Sequence, residues 1–355
     1  MGGIETHVDQ VTRRLAARGD LRMTVLATDR TRSRPQHEAR DGFDVIRIPA
    51  WPRENDYHLA PGIYRTVLRG DWDLIHCQGI HTAVPLIAMA AARRARVPYV
   101  VSFHTGGHSS VTRSALRSLQ WKAAGKLLRA ADHLIGVSRY EARLIQEKAR
   151  LDPARVSVIR NGGGLALSDS AIAPTPGKVL SIGRLERYKG HHRAIEALAY
   201  LRRTHPDASL EILGSGPYEA ELRSLAQRLG LAAQVNIRHI DPADRLGMAH
   251  ALAAASVVAA FSDYEAHPVA VMEALTAGRP VVGYDIAGMS DLVEDGYVTG
   301  LAPGASPVLA AQTLTAAMSA PPRALAELPT WDTCAAALSD VYRSVLGSAF
   351  SNPRG

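Results

Sequence analysis

The sequence predicts an α/β protein made of two doubly wound domains with parallel sheets, and three observations carry that prediction. At 355 residues the chain is about twice the length of a usual domain. Short apolar runs with strand character alternate with stretches of helical periodicity, the pattern of parallel strands joined by crossover helices. Arg279-Pro280-Val281-Val282-Gly283 echoes Val97-Pro98-Tyr99-Val100-Val101 as helix end, proline and strand, a trace of two similar halves.

Composition narrows the class. With 46% hydrophobic and 21% charged residues the chain can bury two ordinary cores. Two cysteines, Cys77 and Cys334, are too few for a disulfide framework and suit a reducing compartment. The longest apolar runs, Ala83 to Ala92 and Leu246 to Phe261, are too short or too interrupted to make a spanning helix of about 20 residues. Met1 is followed at once by Gly-Gly, which does not read as a signal peptide. A cytoplasmic protein, at most peripheral to the inner face of a membrane, is expected.

Charge is unevenly shared. Residues 1–170 carry 26 Lys+Arg against 16 Asp+Glu, a net +10, whereas the remainder is −3. A basic first half suits an anionic acceptor or contact with anionic membrane, and would show as salt-sensitive association with anionic vesicles. Arginine-rich composition by itself would give the same imbalance. Nucleic acid is not expected as a partner, since aromatic residues make up only 5% of the chain and no nucleic-acid motif is present.

Taken in order, Glu5 to Arg18 reads as a helix through Val8, Val11, Leu15 and Ala16. Strands are expected at 23–26, 44–47, 74–77 and 99–102, with a helix over Thr82 to Ala95. Strand 99–102 runs into the loop Phe103-His104-Thr105-Gly106-Gly107-His108. Arg113 to Ala131 reads as a helix with Lys122, Lys126 and Arg129 on one face, ordinarily a solvated face. Asp132 to Ser138 is a strand ending in a capping serine. Ala171 to Gly177 reads as a linker. This gives a first domain over 1–170, a second over 171–330 and a final amphipathic helix, Asp332 to Leu346, within 331–355.

The second domain opens with strand 179–182, followed by strands at 210–213, 235–240 and 256–261. The stretch after the last of these, Ser262 to Gly278, runs from a loop into a helix with Pro268 in its first turn and Val269, Met272 and Leu275 or Thr276 on one face. Glu265 falls in that loop and Glu273 roughly 7–8 Å along the helix axis. Helix N-termini at the carboxyl ends of parallel strands favour anions, because amides there lack partners and the helix dipole is positive. Carboxylates in such a place would address hydroxyls rather than phosphate. A sugar nucleotide supplies both groups.

Glu265, seven residues and then Glu273 resemble the E-x7-E signature of family 4 retaining glycosyltransferases of the GT-B fold. Flanking motifs over nearly the whole chain agree: Gly2-Gly3-Ile4-Glu5-Thr6-His7 resembles a G-G-x-E-x-H loop, Gly183 to Gly190 the G-R-L-x-x-x-K-G motif and Gly214-Ser215-Gly216-Pro217 the G-x-G-P turn. The resemblance implies two Rossmann-like domains facing a cleft and the last helix crossing back to the first. It implies transfer of a hexosyl or N-acetylhexosaminyl group from a nucleoside-diphosphate sugar to a hydroxyl acceptor (a polysaccharide, glycolipid or natural-product precursor), without metal or cofactor. By the same resemblance Glu273 holds the ribose, Glu265 the donor sugar, and Arg184 with Lys189 the diphosphate. His104 and Gly3 line the cleft, and Gly214, Gly216, His239, Ile240, Ala266, His267, Pro268 and Val269 complete the donor site. Two fixed cations at a strand-to-helix junction can neutralise a departing diphosphate.

Some positions depart from the family pattern. Gly163-Gly164 stands for Val-Asp, His239 for Gly, Ala266-His267 for Gly-Phe, and Asp291 for Glu. An altered sugar pocket would suit a nucleotide-sugar-binding or coupling protein, and a nucleotide-sugar epimerase is a further reading on a similar fold. The strand that should precede Gly2 is missing, so the first sheet is expected to lack its middle strand, and an upstream start adding about 8–15 residues is expected from usual strand and loop lengths.

Overall fold

The computed structural model describes residues 3–52, 59–80, 82–104, 124–164, 172–241, 243–320 and 328–351. Gly2, the loop 105–108 with His108, and residues 113–123 of the expected basic helix lie outside these. The described residues divide into two compact units. The first comprises residues 3–104, 124–160 and 331–351; the second occupies Asn161–Thr330.

In the first unit α1 (Gly3–Ala17) is followed by β1 (Thr24–Asp29), β2 (His37–Arg40) and β3 (Phe43–Pro49). β1 pairs with β3 in parallel, while β2 turns back antiparallel on β3, a hairpin the sequence did not announce. After α2 (Gly62–Arg69), four parallel strands follow in spatial order: β4 (Ile75–Gln78), β5 (Tyr99–Phe103), β6 (His133–Gly136) and β7 (Val156–Val158). Among the described residues β1 and β4 each pair on one side only. One apolar core nevertheless runs beneath both sheets, with Leu26, Ile46 and Ile48 packing with Cys77, Val101, Phe103 and Leu134. Gly3, expected in a loop, is the first residue of α1 instead.

Between strands the crossover helices begin as the sequence suggests. Thr82 caps α3 (Ala83–Ala95), and the Ser138 hydroxyl caps α4 (Arg139–Ala149) by accepting from Glu141 N at 3.2 Å. Glu141 reaches back to Val137 N at 3.2 Å, so a buried carboxylate and a serine satisfy amides that would otherwise lack partners. The last helix, α11 (Trp331–Ser351), packs on α1 within this unit: Trp331 is buried beside the His7 ring, and Arg14 Nε donates to Asp332 at 2.9 Å. α11 comes after every described helix of the second unit.

The second unit is a single sheet of six parallel strands. Its strands are β8 (Lys178–Ile182), β9 (Ser209–Leu213), β10 (Val235–Arg238), β11 (Val257–Ala260), β12 (Val281–Tyr284) and β13 (Thr299–Leu301). Their spatial order is β10-β9-β8-β11-β12-β13. Numbered from β8 this is 3-2-1-4-5-6, the doubly wound order, and its direction of growth reverses between β8 and β11. β11 and β12 are almost wholly buried, as strands covered on both faces must be. The unit begins earlier than the expected boundary at 170, because Asn161 Nδ2 donates to the His267 carbonyl at 2.9 Å and Gly163 N to that of Pro329 at 3.0 Å. Residues 172–177 are tied to the same unit, with Thr175 N donating to the Ala254 carbonyl.

Candidate active site

Three loops meet at the carboxyl ends of β8, β9 and β11, on either side of the reversal. The loop after β8 carries Arg184 and Lys189 and turns into α5 (His191–Leu201) through Gly190. The loop after β9 carries Gly214 and Gly216 and is stitched to it: Leu185 N donates to the Ser215 carbonyl and Tyr218 N to that of Leu185, both at 2.9 Å. A Cβ on Gly214 would lie 1.9 Å from the Gly183 carbonyl oxygen, so backbone packs on backbone here. The loop after β11 carries Glu265, Ala266 and His267 and enters α8 (Val269–Thr276) with Pro268 at the cap. Asp263 N donates to the Tyr188 carbonyl at 2.7 Å and joins this loop to the first.

The charged groups pair across these loops. Lys189 Nζ donates to Glu265 Oε1 at 2.7 Å, and the Ser262 hydroxyl donates to the same oxygen at 2.7 Å. Burial pulls the Lys189 ammonium down, but the Glu265 carboxylate more than offsets it and the amine stays charged. Arg184 is more open, with its guanidinium 3.2 Å from Glu186. Beneath the loop lies His191, which burial drives down to about 4 and so keeps neutral. Its Nε2 faces the Arg184 carbonyl at 3.2 Å and must carry the proton, so Nδ1 is an acceptor, 2.9 Å from the Ser181 hydroxyl, whose one proton also faces the Ala259 carbonyl at 3.1 Å.

Glu273 is held separately. It is 4% exposed, and Arg245 Nη2, at the start of α7 (Arg245–Ala254), donates to its Oε1 at 2.6 Å. Burial raises its carboxyl above the usual range despite that cation. The expected one-sided helix is not found: Val271, Met272, Glu273, Ala274 and Leu275 are all buried, because α8 sits within the apolar cluster of β11, β12 and α7. Gly163 explains its own departure from the family pattern. A Cβ there would lie 2.5 Å from the Met272 carbonyl and 2.4 Å from Thr276 Oγ1.

Of the other expected residues, exposed His239 and buried Ile240 follow β10, the edge strand of the sheet. His267 is 3% exposed, and Gly288 N donates to the Glu265 carbonyl at 2.8 Å, so the loop after β12 closes on this one. His104, Gly3 and Glu5 belong to the first unit. His104 follows β5 and is nearly buried, with its ring 4.7 Å from that of His7. Sequence reading missed Arg245, Ser262 and His191. Ser262 and Asp263 open the loop that leads to Glu265, but no spacing singles them out, and Arg245 lies far from Glu273 along the chain.

Known proteins resemble the chain over both halves. Residues 2–162 match the Glycosyl transferase 4-like domain, and residues 167–324 match Glycosyl transferases group 1. Glycogen synthase of Mycobacterium tuberculosis is 31% identical, over 96% of this chain and 91% of its own. The chain belongs to the family 4 glycosyltransferases of the GT-B fold. Two solved structures share the fold of this glycosyltransferase. Sucrose-phosphate synthase from Thermosynechococcus elongatus superposes with a TM-score of 0.78 at 20% identity, covering 98% of this chain and 94% of that one. HepE of Anabaena, solved in complex with UDP, does so at 0.66 and 20%, covering 99% and 96%. Among the described residues no helix is long and apolar enough to cross a membrane.

Proposed function

We propose that this glycosyltransferase moves a hexosyl or N-acetylhexosaminyl group from a nucleoside-diphosphate sugar to a hydroxyl acceptor with retention of configuration. The observation that carries the reading is the Lys189–Glu265 pair at the reversal of the sheet, with the buried carboxylate of Glu273 on the helix that starts there. Lys189 and Arg184 neutralise the diphosphate as it leaves, Glu265 receives sugar hydroxyls and Glu273 the ribose hydroxyls. With two protein cations in that role, turnover should persist in a chelator. Attack proceeds on the face the diphosphate leaves, with a phosphate oxygen taking the acceptor proton. A UDP-holding protein of the same fold supports a nucleotide donor. His104 contacts the sugar or orients the acceptor, and the basic first half suits an anionic or membrane-bound acceptor.

The test is a thermal-shift screen of nucleotide sugars. A donor present at 100 times its dissociation constant stabilises the folded state by about 2.7 kcal/mol, so one base and sugar should raise the melting temperature selectively. No shift with any uridine, guanosine, adenosine or thymidine diphosphate sugar contradicts the reading.

Glu273 adds a pH dependence. A hydroxyl donates best to an ionised carboxylate, and burial raises this carboxyl. Nucleotide affinity should therefore begin to fall, on acidification, at a higher pH than an ordinary carboxylate would give. For stability the sign is opposite: a raised folded value means that the ionised group costs stability near neutrality, and the cost vanishes below the unfolded value. Calorimetry against pH checks both. Glu273→Gln should flatten the affinity profile, and Arg245→Leu should move the loss to higher pH.

A further inference from the structure

Behind His104 the first unit holds a chain of polar groups that runs through its core. His104 Nε2 lies 2.9 Å from Gln78 Oε1. The amide nitrogen of Gln78 lies 3.4 Å from His76 Nε2, which also meets the Ser102 hydroxyl at 2.8 Å. On its other side His76 Nδ1 meets the Tyr342 hydroxyl of α11 at 2.6 Å. The parallel pairing of β4 and β5 brings these groups together, with His76 and Gln78 two residues apart on one face of β4, Ser102 on β5 in register with Gln78, and His104 just past the end of β5.

Hydrogen-bond chemistry gives this chain a direction. An amide oxygen only accepts, so His104 Nε2 must carry the proton it shares with Gln78. An amide nitrogen only donates, so His76 Nε2 must offer its lone pair, to Gln78 and to the Ser102 hydroxyl alike. The His76 proton then sits on Nδ1 and is donated to Tyr342. Burial drives His76 down to about 3, which keeps it neutral and limits it to one ring proton.

We infer that Gln78 is a positioning residue that fixes His104 as the Nε2–H tautomer, so that Nδ1 is the acceptor His104 presents to a substrate hydroxyl. The hydroxyl half of this statement rests on the proposed role of His104; the tautomer half does not. The titratable groups joined to His104 here are His7 from α1, against its ring, and, through Gln78, His76 from β4 and Tyr342 from α11.

The test reads ring nitrogens by two-bond proton–nitrogen NMR on the full chain with nitrogen-15 histidine, the His104 signals being assigned by their loss in His104→Asn. The wild-type protein should show His104 protonated at Nε2 and His76 at Nδ1. Gln78→Leu should abolish the preference, giving His104 the averaged signals of exchanging tautomers. Gln78→Glu, which keeps the shape if the leucine variant does not fold, should raise the His104 titration midpoint by about 1–3 pH units through the adjacent carboxylate. A wild-type His104 protonated at Nδ1, or a tautomer unchanged in Gln78→Leu, or a titration unmoved in Gln78→Glu, would overturn the inference. If the spectra agree but His104→Asn leaves turnover and acceptor KM unchanged, the positioning stands and the role of His104 toward substrate fails.

Discussion

Lys189→Ala is expected to cut affinity for nucleoside diphosphates by a factor of about 10 or more, since one charge-assisted contact is worth roughly 1.5–3 kcal/mol. The amine is held at 2.7 Å by Glu265 and backed by Ser262, so it stands in a fixed place rather than sweeping through solvent. Its removal takes away a cation and leaves the Glu265 carboxylate without its ion pair, and both changes disfavour a second anion. Arg184→Ala should act in the same direction but less strongly, because Arg184 is 55% exposed and its charge is better screened. Calorimetric titration with UDP, GDP, ADP and TDP decides the matter. Wild-type affinity retained in both variants would remove the diphosphate assignment from this loop.

Gly190→Ala should destabilise the second unit by about 2–5 kcal/mol. Gly190 adopts φ +73°, where a side chain costs about 1–2 kcal/mol. A Cβ would also lie 1.9 Å from the Phe261 carbonyl, forcing backbone to move at a further cost of about 1–3 kcal/mol. Gly230 separates the two effects, since it has φ +70° with nothing within 4 Å of its Cβ position. Gly230→Ala should therefore lose only the smaller part. Denaturant unfolding measures both, and equal losses would mean that the contact between the β8 and β11 loops is not what requires glycine at 190.

Much of this was legible because it is local. Alternating strands and helices, the serine cap at 138 and the glycines of the β8 and β9 loops all follow from neighbours in sequence. The spacing of Glu265 and Glu273 gave their places at a strand end and on the following helix. Pairing was not legible. Glu273 meets Arg245 and His104 meets Gln78 because of sheet order and register, which no periodicity records. The hairpin of β2 was hidden by the polar sequence His37-Glu38-Ala39-Arg40, an edge strand with little apolar signal. α8 looked one-sided because Glu273 reads as a surface residue, whereas its charge is met inside the fold by an arginine.

The most direct test of the account is the anomeric configuration of the first sugar released when the donor found by thermal shift is hydrolysed, followed by proton NMR before mutarotation. Nucleoside diphosphate should be released together with a sugar that first appears with the donor's own configuration, at a rate reduced in Lys189→Ala and Glu265→Gln. A first-formed sugar of inverted configuration, or an epimerised sugar, would contradict it.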